Sequence, residues 1–410
     1  MKDPAAPIME RIEALGRISD ETGRLTRTFC SPAMCRANRL VASWMRDAGM
    51  KVREDAIGNL IGHYASTTRH GKVLLLGSHL DTVRNAGKFD GPLGVILAIA
   101  CVEHLRRNQV RLPFAIEVCG FADEEGVRYQ NACLGSRAVT GLLAGTDLRR
   151  KDARGVSMVD AIRRFGGQPA RLKQARFDPG RLLGYVEAHI EQGPVLEEKK
   201  RAVGIVIAIA GQSRFQFTFT GRAAHAGTTP MRLRQDALCA AAEFILAVER
   251  HAARKAGLVA TVGQIQAEPN ASNVIPGAVA LTLDVRHQTD SVRQTAGAQF
   301  QKLARQIAAA RRVKASATLV QQTPSVACSP KLSDLLERAA RMRQSQVVRL
   351  PSGAGHDAAI LARITPAAML FIRCKGGISH HPDERASRQD VRVALGVLNG
   401  FLRLLASEYG

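Results

Sequence analysis

Three times in the first half of the chain, an apolar run of strand length breaks off into a cluster of histidines and carboxylates. KVLLLGSHLDTV (72–83), FAIEVCGFADEEG (114–126) and YVEAHIEQGPVLE (185–197) share this form. A short apolar run bounded by polar residues suits a buried strand that opens into a loop. Between them stand helix-like stretches. MCRANRLVASWMRDAG (34–49) has helical periodicity and a stop at Gly49, and GPLGVILAIACVEHLRR (91–107) follows the first strand. Strands alternating with helices predict an α/β domain with a mostly parallel sheet. Such sheets bind ligands at the carboxyl ends of their strands, where these polar clusters fall.

The pattern changes near residue 211. FQFTFTGRAAH alternates apolar and polar residues, as a sheet with one exposed face does. A helix at 234–252, alternating stretches at 258–267 and 278–287, a helix at 291–311 and a strand at 313–320 follow. That order is the ferredoxin-like βαββαβ arrangement. With 410 residues, two domains are expected. Residues 1–210 and 325–410 are assigned to a catalytic α/β domain, and 211–324 to an inserted α+β domain. The α/β part resumes with a helix at 331–343 and a strand at 367–373.

Composition excludes several functions. The longest apolar run, GIVIAIAG at 204–211, has the length of a buried strand, and none reaches the ~20 residues of a membrane span. The N-terminal stretch has no apolar signal region, which argues against secretion. Cys30, Cys35, Cys101, Cys119, Cys133, Cys239, Cys328 and Cys374 show no regular spacing. They read as buried thiols of a cytoplasmic protein. The net charge of +22 is spread along the chain, and aromatic residues make up only 4%. Neither a basic stripe nor stacking platforms for nucleic acid are present, so no nucleic-acid or membrane partner is expected. The positive field helps attract an anionic substrate.

The chemistry-bearing residues are His79 and Asp81 in GSHLDTV, Asp90 in KFDGPLG, Asp123, Glu124 and Glu125 in FADEEG, His189 in EAHIEQG, and His380 and His381 in GGISHHPDE. Imidazole and carboxylate without thiolate suit Zn, Mn or Co in a working site. A metal pair needs a bridging carboxylate and two terminal ligands on each ion. Asp90 as bridge, with His79, Glu125, His189 and His380, supplies that count. Glu124 and Glu125 point to opposite sides of an extended segment, so one can bind metal while the other faces substrate as a base. Asp81 is placed to accept the free ring N–H of His79. His251 and His287 read as surface residues.

GSHLDTVRNAGKFDGPLGV, EEGVRY, YVEAHIEQGPVLE, GRAAHAGTTPM, ASNVIPGAV with LDVRH, and SGAGHDA with KGGISHHPDE resemble signature blocks of the hydantoinase/carbamoylase branch of the dinuclear metallopeptidase-like amidohydrolases. The resemblance runs from about residue 10 to the C-terminus. It implies a zinc-aminopeptidase-like catalytic domain with an inserted ferredoxin-like lid and dimerisation domain. It also implies two divalent ions per subunit (Mn or Zn), a small anionic ureido substrate and a homodimer. His79, Asp90, Glu125, His189 and His380 would then be the ligands, with Asp90 bridging. Glu124 would be the general base and Asp81 would orient His79. His225, supplied by the partner subunit, would stabilise the oxyanion. Asn273 and Arg286 would grip the substrate carboxylate, and Gln192 and Gly355 would add hydrogen bonds near the metals. The implied reaction converts allantoate to ureidoglycine, ammonia and carbon dioxide. The alternative is hydrolysis of N-carbamoyl-L-amino acids or β-ureidopropionate. Two stretches depart from the pattern: HHPDE, where His381 could compete with His380, and the loop between Tyr129 and Cys133. His356 and Asp357 in GAGHDA are read as structural, because the ligand set is complete without them.

Overall fold

A computed structural model describes residues 3–68 and 71–409. The chain divides into two compact units: Met1–Ile207 with Cys328–Leu350 and Ala354–Gly410, and Ala208–Ala327 with Pro351–Gly353.

The first unit is built on a sheet of nine strands among the described residues, whose main ones are β1 (Lys51–Glu54), β2 (Leu60–Tyr64), β3 (Val73–His79), β4 (Ala115–Phe121), β5 (Leu182–Ile190), β6 (Val203–Ile209) and β7 (Ala367–Ile372), the short Val326–Ala327 and Val348–Ser352 pairing with β6. The main strands lie in the order β1-β2-β4-β3-β5-β7-β6. The central strands β4, β3, β5 and β7 are parallel. The flanking pairs, β1 with β2, β2 with β4 and β7 with β6, are antiparallel. Every residue of β3 and β7 is buried, as expected of parallel strands covered on both faces. The helices Pro32–Asp47 and Arg388–Ala406 start where Ser31 and Ser387 accept backbone N–H groups from Met34 and Asp390. Helix Pro92–Arg107 packs Leu93, Ile96, Ile99 and Val102 into the same core as Leu74, Leu76 and Val186. β1 and β2 were not legible from periodicity: β1 is KVRE, and none of its side chains is buried.

The second unit holds a four-stranded antiparallel sheet in the order Lys314–Thr323, Gly211–Thr220, Ala278–His287, Val259–Glu268. With helices Ala237–Ala253 and Asp290–Ala310 this is the ferredoxin-like βαββαβ order. Phe215, Phe217 and Phe219 alternate inward and meet Phe244 and Phe300 from the two helices. The stretch read as continuous through His225 is in fact two strands. At Gly221 a Cβ would stand 2.0 Å from the Gln235 carbonyl oxygen, so the chain leaves the sheet there. Ala224–His225 then pairs separately with Val274–Ile275.

Two further readings are corrected. His287 is buried: its Nδ1 accepts the Thr289 N–H at 2.9 Å, and its Nε2 lies 3.2 Å from the Ala256 carbonyl. His251 is half-buried with its ring edge-on to Phe300. Cys239 is exposed, while Cys30, Cys35 and Cys133 are half-buried. Among the described residues no helix is long and apolar enough to cross a membrane.

Candidate metal centre

The parallel strands deliver their polar groups to one end of the sheet. His79 is the last residue of β3, Asp123 to Glu125 follow β4, His189 is the second-to-last residue of β5, and His380 lies in the loop beyond β7. Asp90 reaches them from the loop before helix Pro92–Arg107. Its neighbour Gly91 adopts φ 82°, and a Cβ there would stand 2.4 Å from the His79 ring. Only glycine allows that approach.

Asp90 divides its two oxygens between imidazoles. Oδ1 lies 3.0 Å from His189 Nε2 and 3.7 Å from His79 Nε2. Oδ2 lies 3.2 Å from His380 Nε2, which is 3.6 Å from Glu125 Oε1. Two sets of close donors result: His79, Asp90 and His189, and Asp90, Glu125 and His380. Ligands about 2.0–2.2 Å from one ion stand roughly 3–3.5 Å from each other, so the spacings fit shared coordination. The ring orientations fit as well. His189 Nδ1 lies 2.9 Å from the Ile190 carbonyl, and His79 Nδ1 lies 3.1 Å from that of Asp81. A carbonyl only accepts, so each Nδ1 carries a proton and each Nε2 is turned toward Asp90. Buried His189 Nε2 has no hydrogen-bond partner there. A lone pair facing a carboxylate in a buried site requires a cation between them, either a proton or a metal ion.

The charges respond accordingly. Burial opposes ionisation of Asp90, but His189, His380 and His79 outweigh it and hold the carboxyl well below its usual range. The hydrogen bond to Asp90 raises His380 to about 9. Burial works against charging His79, yet Asp81 and Asp90 raise it well above the ordinary value. Burial, then Asp90, raises Glu125 to about 7. Glu124 is pushed well up, first by burial.

Asp81 serves two ends at once. Its carboxylate lies 3.4 Å from His79 Nδ1 and accepts the backbone N–H groups of Glu124 at 3.0 Å and Glu125 at 3.1 Å. It therefore fixes the turn that carries both glutamates, while its own carbonyl is the nearer partner of His79. Glu124 stands apart from the Asp90 cluster: its Oε1 lies 3.8 Å from Cys133 Sγ, and a Cβ at Gly355 would come equally close to it. Gln192, at φ 57°, donates Nε2 to Asp90 Oδ2 at 2.9 Å. His381 is 59% exposed, with its Nδ1 accepting the Asp383 N–H at 3.2 Å. His356 packs its ring edge-on to His189 at 4.6 Å, and Asp357 is fully buried.

Residues with no role in the sequence reading complete the setting. Glu384 accepts the N–H groups of Phe89 and Asp90 at 2.8 and 3.0 Å. Ser379 links Glu384 to Asp90 Oδ2. Glu187 accepts from Ser78 and from the Ala358 N–H. The acid that closes HHPDE was the only signal for Glu384.

In the second unit, His225 and Val274 are cross-strand partners, and Asn273 accepts the Ala226 N–H at 2.9 Å. This sets His225 beside Asn273. The His225 ring accepts the N–H groups of Gly227 and Thr228 at Nδ1, so the proton sits on Nε2 and that nitrogen is a donor. Arg286 is bound side-on by Asp284, with Nε 2.8 Å from Oδ1.

Comparison with known proteins gives consistent relatives. The profile described as Peptidase family M20/M25/M40 matches residues 75–404. An N-carbamoyl-L-amino acid amidohydrolase of Geobacillus stearothermophilus is 42% identical, covering 95% of this chain and 96% of its own. A probable allantoate deiminase of Oryza sativa subsp. japonica is 40% identical, covering 96% and 87%. A crystal structure of a hydantoinase/carbamoylase family amidase from Burkholderia multivorans superposes with a TM-score of 0.91 at 31% identity, covering 97% of both chains.

Proposed function

The chain belongs to peptidase family M20/M25/M40, and from that premise we propose that it is a metal-dependent amidohydrolase of ureido C–N bonds, with allantoate as substrate. The carrying observation is Asp90, which presents one oxygen to His79 and His189 and the other to His380 beside Glu125. The second reading, an N-carbamoyl-L-amino acid hydrolase or β-ureidopropionase, is favoured by the 42% identical Geobacillus relative. Both readings share the chemistry below.

His79, Asp90, Glu125, His189 and His380 are the proposed ligands of two divalent ions, Mn or Zn, with Asp90 between them. When bound, such ions polarise the ureido carbonyl and make a water acidic enough to attack at neutral pH. Glu124 takes the proton from the attacking water and returns it to the leaving nitrogen. Its burial supports this role, because a carboxyl raised well above its ordinary range takes up a proton more readily. His225 donates from Nε2 to the oxygen on which negative charge develops. Asn273 and Arg286 hold the substrate carboxylate, while Gln192 and Gly355 border the reacting end. One water is consumed, and allantoate yields ureidoglycine, ammonia and carbon dioxide. A homodimer through the second unit is supported by exposed Leu238 and Leu246 on helix Ala237–Ala253, and by Val259 and Ile265 on the edge strand Val259–Glu268. A cytoplasmic location is supported by the free state of the cysteines.

Side-by-side turnover of allantoate, N-carbamoyl-L-amino acids and β-ureidopropionate by the metal-loaded protein decides the substrate. Preference for allantoate is expected, and preference for a carbamoyl amino acid would establish the second reading.

Metal uptake is expected to depend steeply on pH. His380 is raised to about 9 and Glu125 to about 7, so below these values each holds a proton that must leave before it can bind a cation. Affinity is therefore expected to fall by about tenfold or more per unit as pH drops below 9, and more steeply below 7. Calorimetric titration with Mn or Zn, in buffers of different ionisation heat, should record proton release. Uptake that is flat from pH 6 to 9 would count against the ligand set.

A further inference from the structure

We infer that Asp284 is a positioning residue that shapes the Arg286 guanidinium into a carboxylate-binding fork with one edge left open. The inference rests on the reading that Arg286 grips the substrate carboxylate, and it identifies what makes that grip specific.

Asp284 and Arg286 alternate with buried Leu283 and Val285 on strand Ala278–His287, so they occupy the sheet face opposite the helices. Arginine has five N–H donors in a rigid plane. Asp284 Oδ1 accepts Nε–H at 2.8 Å, and its Oδ2 accepts one proton of Nη2 at 3.3 Å. One proton of Nη1 goes to the Gly353 carbonyl at 2.7 Å. With the Gly353 bond assigned to the outer Nη1 proton, one proton on each Nη remains, side by side at the end of the fork. Two parallel N–H groups match the two oxygens of a carboxylate.

Asp284 is in turn held from the neighbouring strand. Arg214, its cross-strand partner, donates Nε to Oδ2 at 3.1 Å. Gln212, opposite Arg286, donates to the same oxygen. One carboxylate between two guanidinium groups leaves a single net positive charge, which suits a monocarboxylate. Without Asp284, a long side chain 33% exposed would spread over many rotamers, and its open edge would no longer be presented in one direction.

The test uses the metal-loaded enzyme with the better substrate of allantoate and N-carbamoyl-L-alanine, and with the carboxamide of that substrate. Asp284→Asn is expected to raise KM for the carboxylate substrate about 10–100-fold, the worth of one or two hydrogen bonds to a charged group. kcat should stay within about threefold, which marks a loss of uniform binding. The carboxamide, which offers no anion, should show no change, and Asp284→Glu should restore part of the loss. Equal losses with acid and carboxamide, or a fall in kcat at constant KM, would overturn the positioning role. Arg286→Met separates the two levels. If it raises KM while Asp284→Asn does not, only the positioning role fails. If it leaves KM unchanged, the binding role of Arg286 fails, and the inference with it.

Discussion

Glu124→Gln is expected to lower kcat by about 10²–10⁴-fold, with little change in KM or bound metal. The amide keeps the shape of the side chain but can neither accept the proton of the attacking water nor return one to the leaving nitrogen. Metal content should survive because the carboxylates facing His79, His189 and His380 are those of Asp90 and Glu125. The backbone of Glu124 stays tied to Asp81 through its N–H, so the loop has no cause to move. Steady-state kinetics with metal analysis of the same sample reads both quantities. A variant that loses metal together with activity would instead place Glu124 among the ligands, where His79, Glu124 and Glu125 also approach one another.

Asp90→Asn is expected to be the most damaging single change to the centre. The aspartate is the one group that meets both donor sets, and its charge is what holds His380 protonated up to about 9 in the metal-free chain. Asparagine offers one acceptor oxygen and no charge, so at least one set loses its carboxylate oxygen and the other loses its charge. Retained metal should fall toward background after desalting. kcat/KM should drop by roughly 10³-fold or more, since metal ions supply several kcal/mol of transition-state charge stabilisation and each 1.4 kcal/mol is tenfold. An unchanged thermal midpoint would show that the fold persists. Full metal retention by this variant would show that Asp90 is not the bridge.

The parts of this account that were legible in the sequence share one property: the chemistry sits where a strongly patterned element ends. His79 ends a mostly apolar buried strand, and His189 stands next to the end of another, so their meeting at one site follows from the parallel sheet. The ferredoxin-like order of the second unit was legible for the same reason, because FQFTFT alternates cleanly over a core of phenylalanines. What escaped notice depends on long-range contact instead. Glu384 meets the backbone of Phe89 and Asp90 across nearly the whole chain, and nothing in the residues between announces it. Gln192 is expected from the sequence to form hydrogen bonds near the metals, but that its amide reaches Asp90 from a left-handed backbone position is not legible there. His287 was read as surface from its polarity, but it closes hydrogen bonds at both ring nitrogens within the second unit. Asp284 was legible only as part of LDVRH, and its function emerges from which face of the sheet the alternation assigns to it.

The most direct measurement is a metal titration of chelator-stripped protein, with ureido hydrolysis followed at each addition. The stripped protein is expected to show no activity, with recovery on Mn or Zn that saturates at two ions per chain. Asp90→Asn should fail to recover at any metal concentration in the range that restores the parent. Full hydrolysis by the stripped protein, or recovery indifferent to Asp90, would contradict the central claim that these residues form a dinuclear metal centre.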